Sequence, residues 1–450
     1  MSAKKERLFS RFISHNPMIT VIFGFLLIIL IGTFLLSLPI SNRNGEWLSP
    51  ISALFTATSA TCVTGLTVGD PQTMFTLFGQ LVILCMIQVG GLGFMSLTMI
   101  MMMLLQKAIS FSERILLSSS LGLSSAGGIL SFVRLVVGGT FAVEGVGTVL
   151  LSFYFIPKYG FFSGLWKSIF MSISAFCNAG FDILGQGDSL VSIQSNAYVL
   201  TVLMALTIIG GLGFIVWKDL LQRKLTVYSK MVLSTSAVLL IGGALFFLFA
   251  EWNNPDTLAS LDFGEKVLNA SFTSVTMRTV GFATLDFSQL TEPSKVISSL
   301  LMVIGGSSGS TAGGIKTVTF LVLIITAFQV AGGRNKIQFL NRTIAQDDIY
   351  RAFTLFFIGC GIVLTSTLAV SMLTPQTKLL DIFFTCTSAF GTVGCAACNI
   401  AAMSTVCKLL IIVLMFMGRL GILTITLAIM IRLNRGKDKI SYPKTNILIG

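Results

Sequence analysis

The chain has 450 residues, 54% of them apolar and only 11% charged. A soluble domain carries about 25% charged residues, so this composition lacks the polar surface to cover a water-soluble globule. The net charge of +12 does not mark a nucleic-acid surface, because the cations fall in alternate gaps between apolar runs, as the positive-inside rule expects.

Lys4, Lys5, Arg7 and Arg11 precede the first apolar run, Ile19–Leu38, which contains no charge and has the length of a bilayer-spanning helix. That run is longer than a signal-peptide core and lacks a clear cleavage site, so it reads as a retained first helix with Pro17 near its start. Further cationic gaps hold Lys218, Arg223, Lys224 and Lys230, then Arg334, Lys336, Arg342 and Arg351, and finally Arg432, Arg435, Lys437, Lys439 and Lys444. The opposite gaps are acidic, with Asp182 and Asp188 in one and Glu251, Asp256, Asp262 and Glu265 in another. The pattern predicts both termini on the cytoplasmic side.

One unit recurs four times. Its marker is a glycine string: Thr61-Cys-Val-Thr-Gly65, Phe176-Cys-Asn-Ala-Gly180, Met277-Arg-Thr-Val-Gly281 and Phe390-Gly-Thr-Val-Gly394. Each follows a short Ser/Thr-rich stretch, Ile51–Ala60, Trp166–Ala175, Val267–Thr276 and Leu379–Ala389, about half the length needed to cross a bilayer and therefore expected to be re-entrant helices. A second glycine motif begins at Gly90, Gly210, Gly305 and Gly418, which follow the string glycines by 25, 30, 24 and 24 residues. Long apolar helices are expected near 18–40, 134–156, 232–250 and 352–373 before the short stretches. Others are expected near 74–105, 197–217, 296–325 and 407–432 after them.

The expected architecture is an all-α integral membrane protein of four parallel helix–re-entrant helix–helix (M1–P–M2) units around a pseudo-fourfold pore. That gives eight transmembrane and four pore helices. The units are 1–107, 108–225, 226–345 and 346–450. Two crossings per unit put all four loops on one side, unlike the inverted repeats of many carriers.

Non-helical backbone survives at membrane depth only where protein or water satisfies it, so four such loops imply a shared aqueous axis. Backbone carbonyls there would replace an ion's hydration shell, and the glycines permit the required backbone turn. The expected carbonyl ligands are Val63, Thr64 and Gly65; Asn178, Ala179 and Gly180; Thr279, Val280 and Gly281; and Thr392, Val393 and Gly394. The last two strings read Thr-Val-Gly, overlapping the Thr-Val-Gly-Tyr-Gly filter of potassium channels. Helix dipoles ending at the axis favour a cation.

With these motifs, including Arg278-Thr-Val-Gly-Phe282 and Gly418-Arg-Leu-Gly421, the chain resembles the Trk/Ktr/HKT superfamily of K⁺ transporters. It is most similar to the membrane subunit of bacterial Ktr systems. The resemblance implies K⁺ uptake across the bacterial cell membrane, with K⁺ at the filter carbonyls as cargo, no cofactor and no enzymatic activity. In that family a serine at the first-string glycine goes with Na⁺ transport, so Gly65 implies K⁺ selectivity. Symport and sodium dependence belong to the same expectation. The implied partners are a second copy of the chain, membrane lipid and a cytosolic ring of nucleotide-binding KtrA-type (RCK) subunits, with no nucleic acid.

The third unit departs from its siblings. Residues 305–317 interrupt an apolar helix with Gly305, Gly306, Gly309, Gly313 and Gly314, too many glycines for a stable helix at about 1 kcal/mol each. Ser307, Ser308, Ser310 and Thr311 are candidates to solvate ions there. The segment is not a nucleotide loop, because Ile315 separates Gly314 from Lys316. By resemblance it is the intramembrane gate. Arg419, at the same expected depth, reads equally as a gating cation or as a structural cap on helix-end carbonyls.

Three further features need partners or a role. Arg278 is expected to point back onto an acidic residue, and Glu144 needs a partner within an apolar helix. Cys395-Ala-Ala-Cys398 stands apart from any second Cys pair and reads as incidental. Two rival functions remain: an ion-coupled carrier of another small solute, which parallel repeats disfavour, and a membrane hydrolase, which His15 as the sole histidine makes a poor fit.

Overall fold

A computed structural model describes residues 17–93, 129–185, 189–334 and 336–421. The basic clusters at 4–11 and 432–444, Asp188, His15, both termini and the expected boundary at 107/108 lie outside the described residues.

Helix α1 (Pro17–Ser37) precedes α2 (Pro50–Thr61) and α3 (Leu77–Leu92). Then come α4 (Ile129–Tyr159), α5 (Phe161–Phe176), α6 (Ala197–Gly211) and α7 (Phe214–Leu221). The third set is α8 (Val227–Ala250), α9 (Phe263–Thr276), α10 (Glu292–Val303) and α11 (Thr317–Ala331), and the fourth α12 (Gln346–Leu373), α13 (Leu379–Gly391) and α14 (Thr405–Leu420). The chain is mostly helical, as expected, with one small exception. A small antiparallel pair, β1 (Gln338–Phe339) and β2 (Arg342–Thr343), forms between α11 and α12, because Leu340 and Asn341 adopt the left-handed conformation of a tight hairpin turn.

Local chemistry explains the boundaries. Thr76, Asn196 and Ser404 cap α3, α6 and α14 by accepting a backbone N–H three residues on. The far ends of these helices meet Gly93, Gly213 and Gly421, all at positive φ. At Gly213 the chain turns by 96° between α6 and α7, so the single helix expected over 197–217 is two. The helix expected over 296–325 is likewise two, α10 and α11, separated by the 305–317 loop.

Among the described residues three helices are long and apolar enough to cross a membrane: Ser131–Tyr159, Val227–Ala250 and Gln346–Leu373. The bent α6–α7 pair makes a fourth if counted as one span, and Val21–Ser37 and Leu77–Leu92 are shorter apolar helices. These long helices turn large apolar side chains outward, among them Phe153, Val238, Phe249 and Phe357, an arrangement suited to lipid and not to water.

Small residues set the packing. Ala53, Ala57 and Ala60 of α2 and Ser168, Ser172 and Ser174 of α5 are fully buried, as befits helices surrounded by other helices. Each short helix sits between its own unit and the helix that precedes it in space. Thus α3 packs on α2 and α5, α6 on α5 and α9, α10 on α13, and α14 on α13 and α2. The chain's last helix thereby closes on its first short one.

Candidate cation pathway

Each short helix ends in the same way. Cys62, Cys177 and Met277 cap α2, α5 and α9, and Thr392 caps α13. The chain then turns left-handed at Val63 (φ 56°), Asn178 (58°), Thr279 (71°) and Thr392 (52°), and again two residues later at Gly65, Gly180, Gly281 and Gly394. The residue between them in each string does not. Such alternation turns successive carbonyls toward one side, and only glycine adopts the second position without strain.

The four strings meet in a ring. A Cβ added to Gly65 would lie 2.5 Å from the Ala179 carbonyl oxygen, and one on Gly180 would lie 2.0 Å from that of Val280. On Gly281 it would lie 2.2 Å from the Val393 oxygen, and on Gly394 2.3 Å from that of Thr64. The contacts run from the first string to the second, third, fourth and back to the first. All four glycines line one cavity of about 620 Å³, which also carries Asp70, Asp182, Asp286 and Asn399 on its walls.

The strings are braced from behind by the hydroxyls that made the short stretches Ser/Thr-rich. Ser174 Oγ donates to the Phe181 carbonyl at 2.6 Å, Thr276 Oγ1 to that of Phe282 at 2.7 Å, and the Gly394 N–H to Ser388 Oγ at 3.1 Å. The second glycine motif has a packing role. Gly90, Gly210 and Gly418 lie so close to the carbonyls of Thr61, Phe176 and Phe390 that a Cβ would approach within 2.0, 2.0 and 1.9 Å. Gly305 instead faces Gly313 of its own loop.

That loop closes on itself. Gly305 N–H bonds the Ile315 carbonyl at 2.8 Å, Ile315 N–H that of Val303 at 3.0 Å, and Thr317 N–H that of Gly306 at 3.1 Å. Its tip reaches the string residues. Thr311 Oγ1 donates to the Phe176 carbonyl and to Asn178 Oδ1, both at 3.3 Å, and Gly313 is pressed against the Thr392 side chain. Ser307 Oγ donates to the Gly211 carbonyl at 3.2 Å and to that of Leu212, and Ser310 Oγ to the Ser307 carbonyl at 2.8 Å. Lys316 Nζ turns back onto the Ala312 carbonyl at 2.7 Å. From α14, Arg419 donates to the carbonyls of Thr311 and Gly90, and to that of Gly91 at 3.4 Å.

Residues 2–439 match the TrkH family, described as cation transport proteins. The chain belongs to that family. It is 40% identical over 457 residues to "Potassium/sodium uptake protein NtpJ" of Enterococcus hirae, with both chains covered completely. It is 36% identical over 454 residues to "Ktr system potassium uptake protein B" of Bacillus subtilis, again over the whole of both. Its fold is similar to that of the potassium transporter TrkH from Vibrio parahaemolyticus in its crystal structure, at a TM-score of 0.68, 17% identity, and coverage of 92% of this chain and 86% of the other. The TrkH family comprises membrane cation transporters, not enzymes, and the resemblance read from the glycine strings is to the family found here.

Within this TrkH-family chain the four strings meet at the ring, and the 305–317 loop touches them through Thr311 and Gly313. One expectation fails. Arg278 is buried but, among the described residues, meets no carboxylate; its Nη2 donates to the Gly305 carbonyl at 3.4 Å. It follows directly on the C-cap of α9, where the negative end of the helix dipole favours a cation without an acidic partner.

Sequence reasoning left the partner of Glu144 open. Gln88 Nε2 donates to both of its carboxylate oxygens at 3.1 Å, and Cys177 Sγ lies 3.7 Å from Oε1. Sequence also missed the ion pair between Lys295 Nζ and Asp381 Oδ1 at 2.7 Å, which joins α10 to α13. The signal was there: Asp381 is the one charge of α13, and Lys295 is the one cation of α10. Cys395 is buried, and Cys398 Sγ lies 3.0 Å from Thr385 Oγ1. Among the described residues no group of His, Cys, Asp and Glu is arranged to hold a metal ion.

Proposed function

We propose that this chain takes up K⁺ across the bacterial cell membrane through a carbonyl-lined filter. The observation that carries the reading is the ring itself: four glycine strings, each against the carbonyl of the next. In this reading the chain forms four parallel M1–P–M2 units with eight crossings and both termini in the cytoplasm. The cavity over the ring is the outer mouth, and its carboxylates Asp70, Asp182 and Asp286 gather cations before they shed water. Val63–Gly65, Asn178–Gly180, Thr279–Gly281 and Thr392–Gly394 supply the carbonyls. The dipoles of α2, α5, α9 and α13 end at the ring and favour a cation there.

Below the ring the 305–317 loop is the gate. It carries no acid to attract K⁺, and Lys316 and Arg419 lie on or against it. The cations raise the electrostatic barrier while the loop is in place, and ion passage requires its displacement. Relatives named for a Ktr system support assembly with a partner. We assign that partner as a cytosolic nucleotide-binding ring beneath a dimer of this chain. Flux then follows the K⁺ electrochemical gradient, and Na⁺ is the second ion to examine, because one relative is named for both potassium and sodium uptake.

The deciding experiment is ⁸⁶Rb⁺ uptake into liposomes containing the purified chain, with K⁺ and Na⁺ as competitors. K⁺ should compete strongly and Na⁺ weakly. Absence of uptake with the partner ring present, or failure to rescue growth of a K⁺-uptake-deficient bacterium at low K⁺, defeats the proposal.

A further inference from the structure

The gate loop is fastened on one side to a structure that the ion path does not need. The polypeptide leaves α6 at Gly211, turns 96° at Gly213, runs through the short helix α7 and turns again into α8. Five hydrogen bonds join this elbow to the loop. The Ser307 N–H donates to the Gly211 carbonyl at 3.2 Å, Ser307 Oγ to the same carbonyl at 3.2 Å and to that of Leu212, and the Phe214 N–H to the Gly309 carbonyl at 3.0 Å. The fifth comes from the far side of the elbow, where Tyr228 OH donates to the Ser308 carbonyl at 3.1 Å.

Tyr228 is placed there by a rigid corner. Asp219 Oδ2 accepts from the Thr226 N–H at 3.1 Å, from Thr226 Oγ1 at 2.6 Å and from Ser229 Oγ at 2.7 Å, so the first turn of α8 is locked to α7. Trp217 Nε1 locks α7 to α6 through the Ile209 carbonyl at 2.9 Å. The other end of α7 is open: Leu220 and Leu221 are exposed, followed by exposed Arg223 and Lys224. A displacement of α7 therefore carries Phe214 and Tyr228 with it, and with them the loop residues Ser308 and Gly309.

We infer that the α6–α8 elbow is the handle by which the cytoplasmic face sets the position of the gate loop, with the Tyr228 hydroxyl as its latch. Tyr228 is a positioning residue: it acts on the path through the Ser308 carbonyl and touches none of the string residues. The inference rests on the reading of 305–317 as a gate. A bistable loop held by a few hydrogen bonds shifts its populations when one is removed.

The test is ⁸⁶Rb⁺ flux through the purified full-length chain in liposomes without any partner, comparing wild type, Tyr228→Phe and Arg419→Ala. Tyr228→Phe keeps the ring and removes only the donor. It should raise basal flux roughly threefold to tenfold while leaving the Rb⁺-to-Na⁺ flux ratio unchanged, since the strings are untouched. Hydrogen exchange over 305–317 should quicken in the same variant. Thr226→Ala, which loosens the corner without touching the loop, should reproduce both effects and serves if Tyr228→Phe folds poorly. If Arg419→Ala raises flux but neither elbow variant does, the latch is wrong and the gate stands. If none of the three changes flux, the gate reading falls with it. A changed ion ratio in Tyr228→Phe also overturns the inference, because it would mean that the tyrosine acts on the strings.

Discussion

Thr311 is held from two sides: its carbonyl accepts from Arg419, while its hydroxyl donates to Asn178 Oδ1 at 3.3 Å. A loop residue thus ties a cation of the last described helix to the second glycine string. Arg419→Ala removes that cation and breaks its bonds to Thr311 of the loop and to Gly90 and Gly91 of α3 together. Basal Rb⁺ flux in liposomes should rise by about tenfold or more, because charged hydrogen bonds contribute about 1.5–3 kcal/mol each. Arg419→Lys retains the charge but not the planar fork, so its flux should fall between the two. Equal flux in all three proteins would show that Arg419 only caps helix ends.

The ring leaves no room for a methyl group. Gly180→Ala places a Cβ 2.0 Å from the Val280 carbonyl oxygen at a residue with φ 67°. The strings must part to accommodate it. K⁺-competed Rb⁺ uptake should drop by at least about tenfold, with the Na⁺ share of the remaining flux increased. Full activity and unchanged selectivity would mean that the glycine is not at the ion path.

Lys295 and Asp381 have side chains only 8% and 15% exposed. Lys295 also donates to the Ser288 carbonyl at 2.8 Å. Lys295→Met strands the carboxylate and should destabilise the fold by about 3–5 kcal/mol, whereas the double change Lys295→Met with Asp381→Leu should recover most of that loss. Thermal unfolding in detergent reads both, and a double variant no better than the single one would contradict the pairing.

Asp182 lies on the mouth cavity beyond the second string. Burial raises its carboxyl to about 6, with Asp70 adding to the rise and the Leu184 N–H, Ser189 and Lys167 opposing it. Above that pH it is anionic and draws cations to the mouth; below it the group is neutral. Uptake at low external K⁺ should therefore fall as the external pH drops through about 6. Asp182→Asn should be lower throughout and lose that inflection. A wild-type profile flat from pH 7 to 5 would refute the assignment.

The strings were legible in the sequence because glycine at a left-handed position cannot be disguised by neighbours. The Ser/Thr-rich stretches also told their function once it is seen that hydroxyls such as those of Ser174 and Thr276 brace the backbone turns. The helix breaks were harder. Gly213 lies in a motif whose other glycines, Gly210 and Gly211, continue the helix, so only φ at that position distinguishes a packing glycine from a breaking one. Arg278 misled because charge pairing was weighed above the dipole of α9, and the dipole leaves no mark in composition. The partners of Glu144 and Lys295 are 56 and 86 residues distant, beyond the reach of any local pattern.

Because one polypeptide contributes all four sides of the ring, its quadrants are free to differ. A symmetric tetramer alters every subunit at once when a codon changes, so its opening must tolerate fourfold doses of each substitution. Here a substitution reaches a single quadrant, and the third already differs: the first glycine of its motif packs against its own 305–317 loop, where those of the other three pack against a string carbonyl. Specialising one quarter of a pore while three hold its bore constant is a course open to fused repeats and closed to identical subunits.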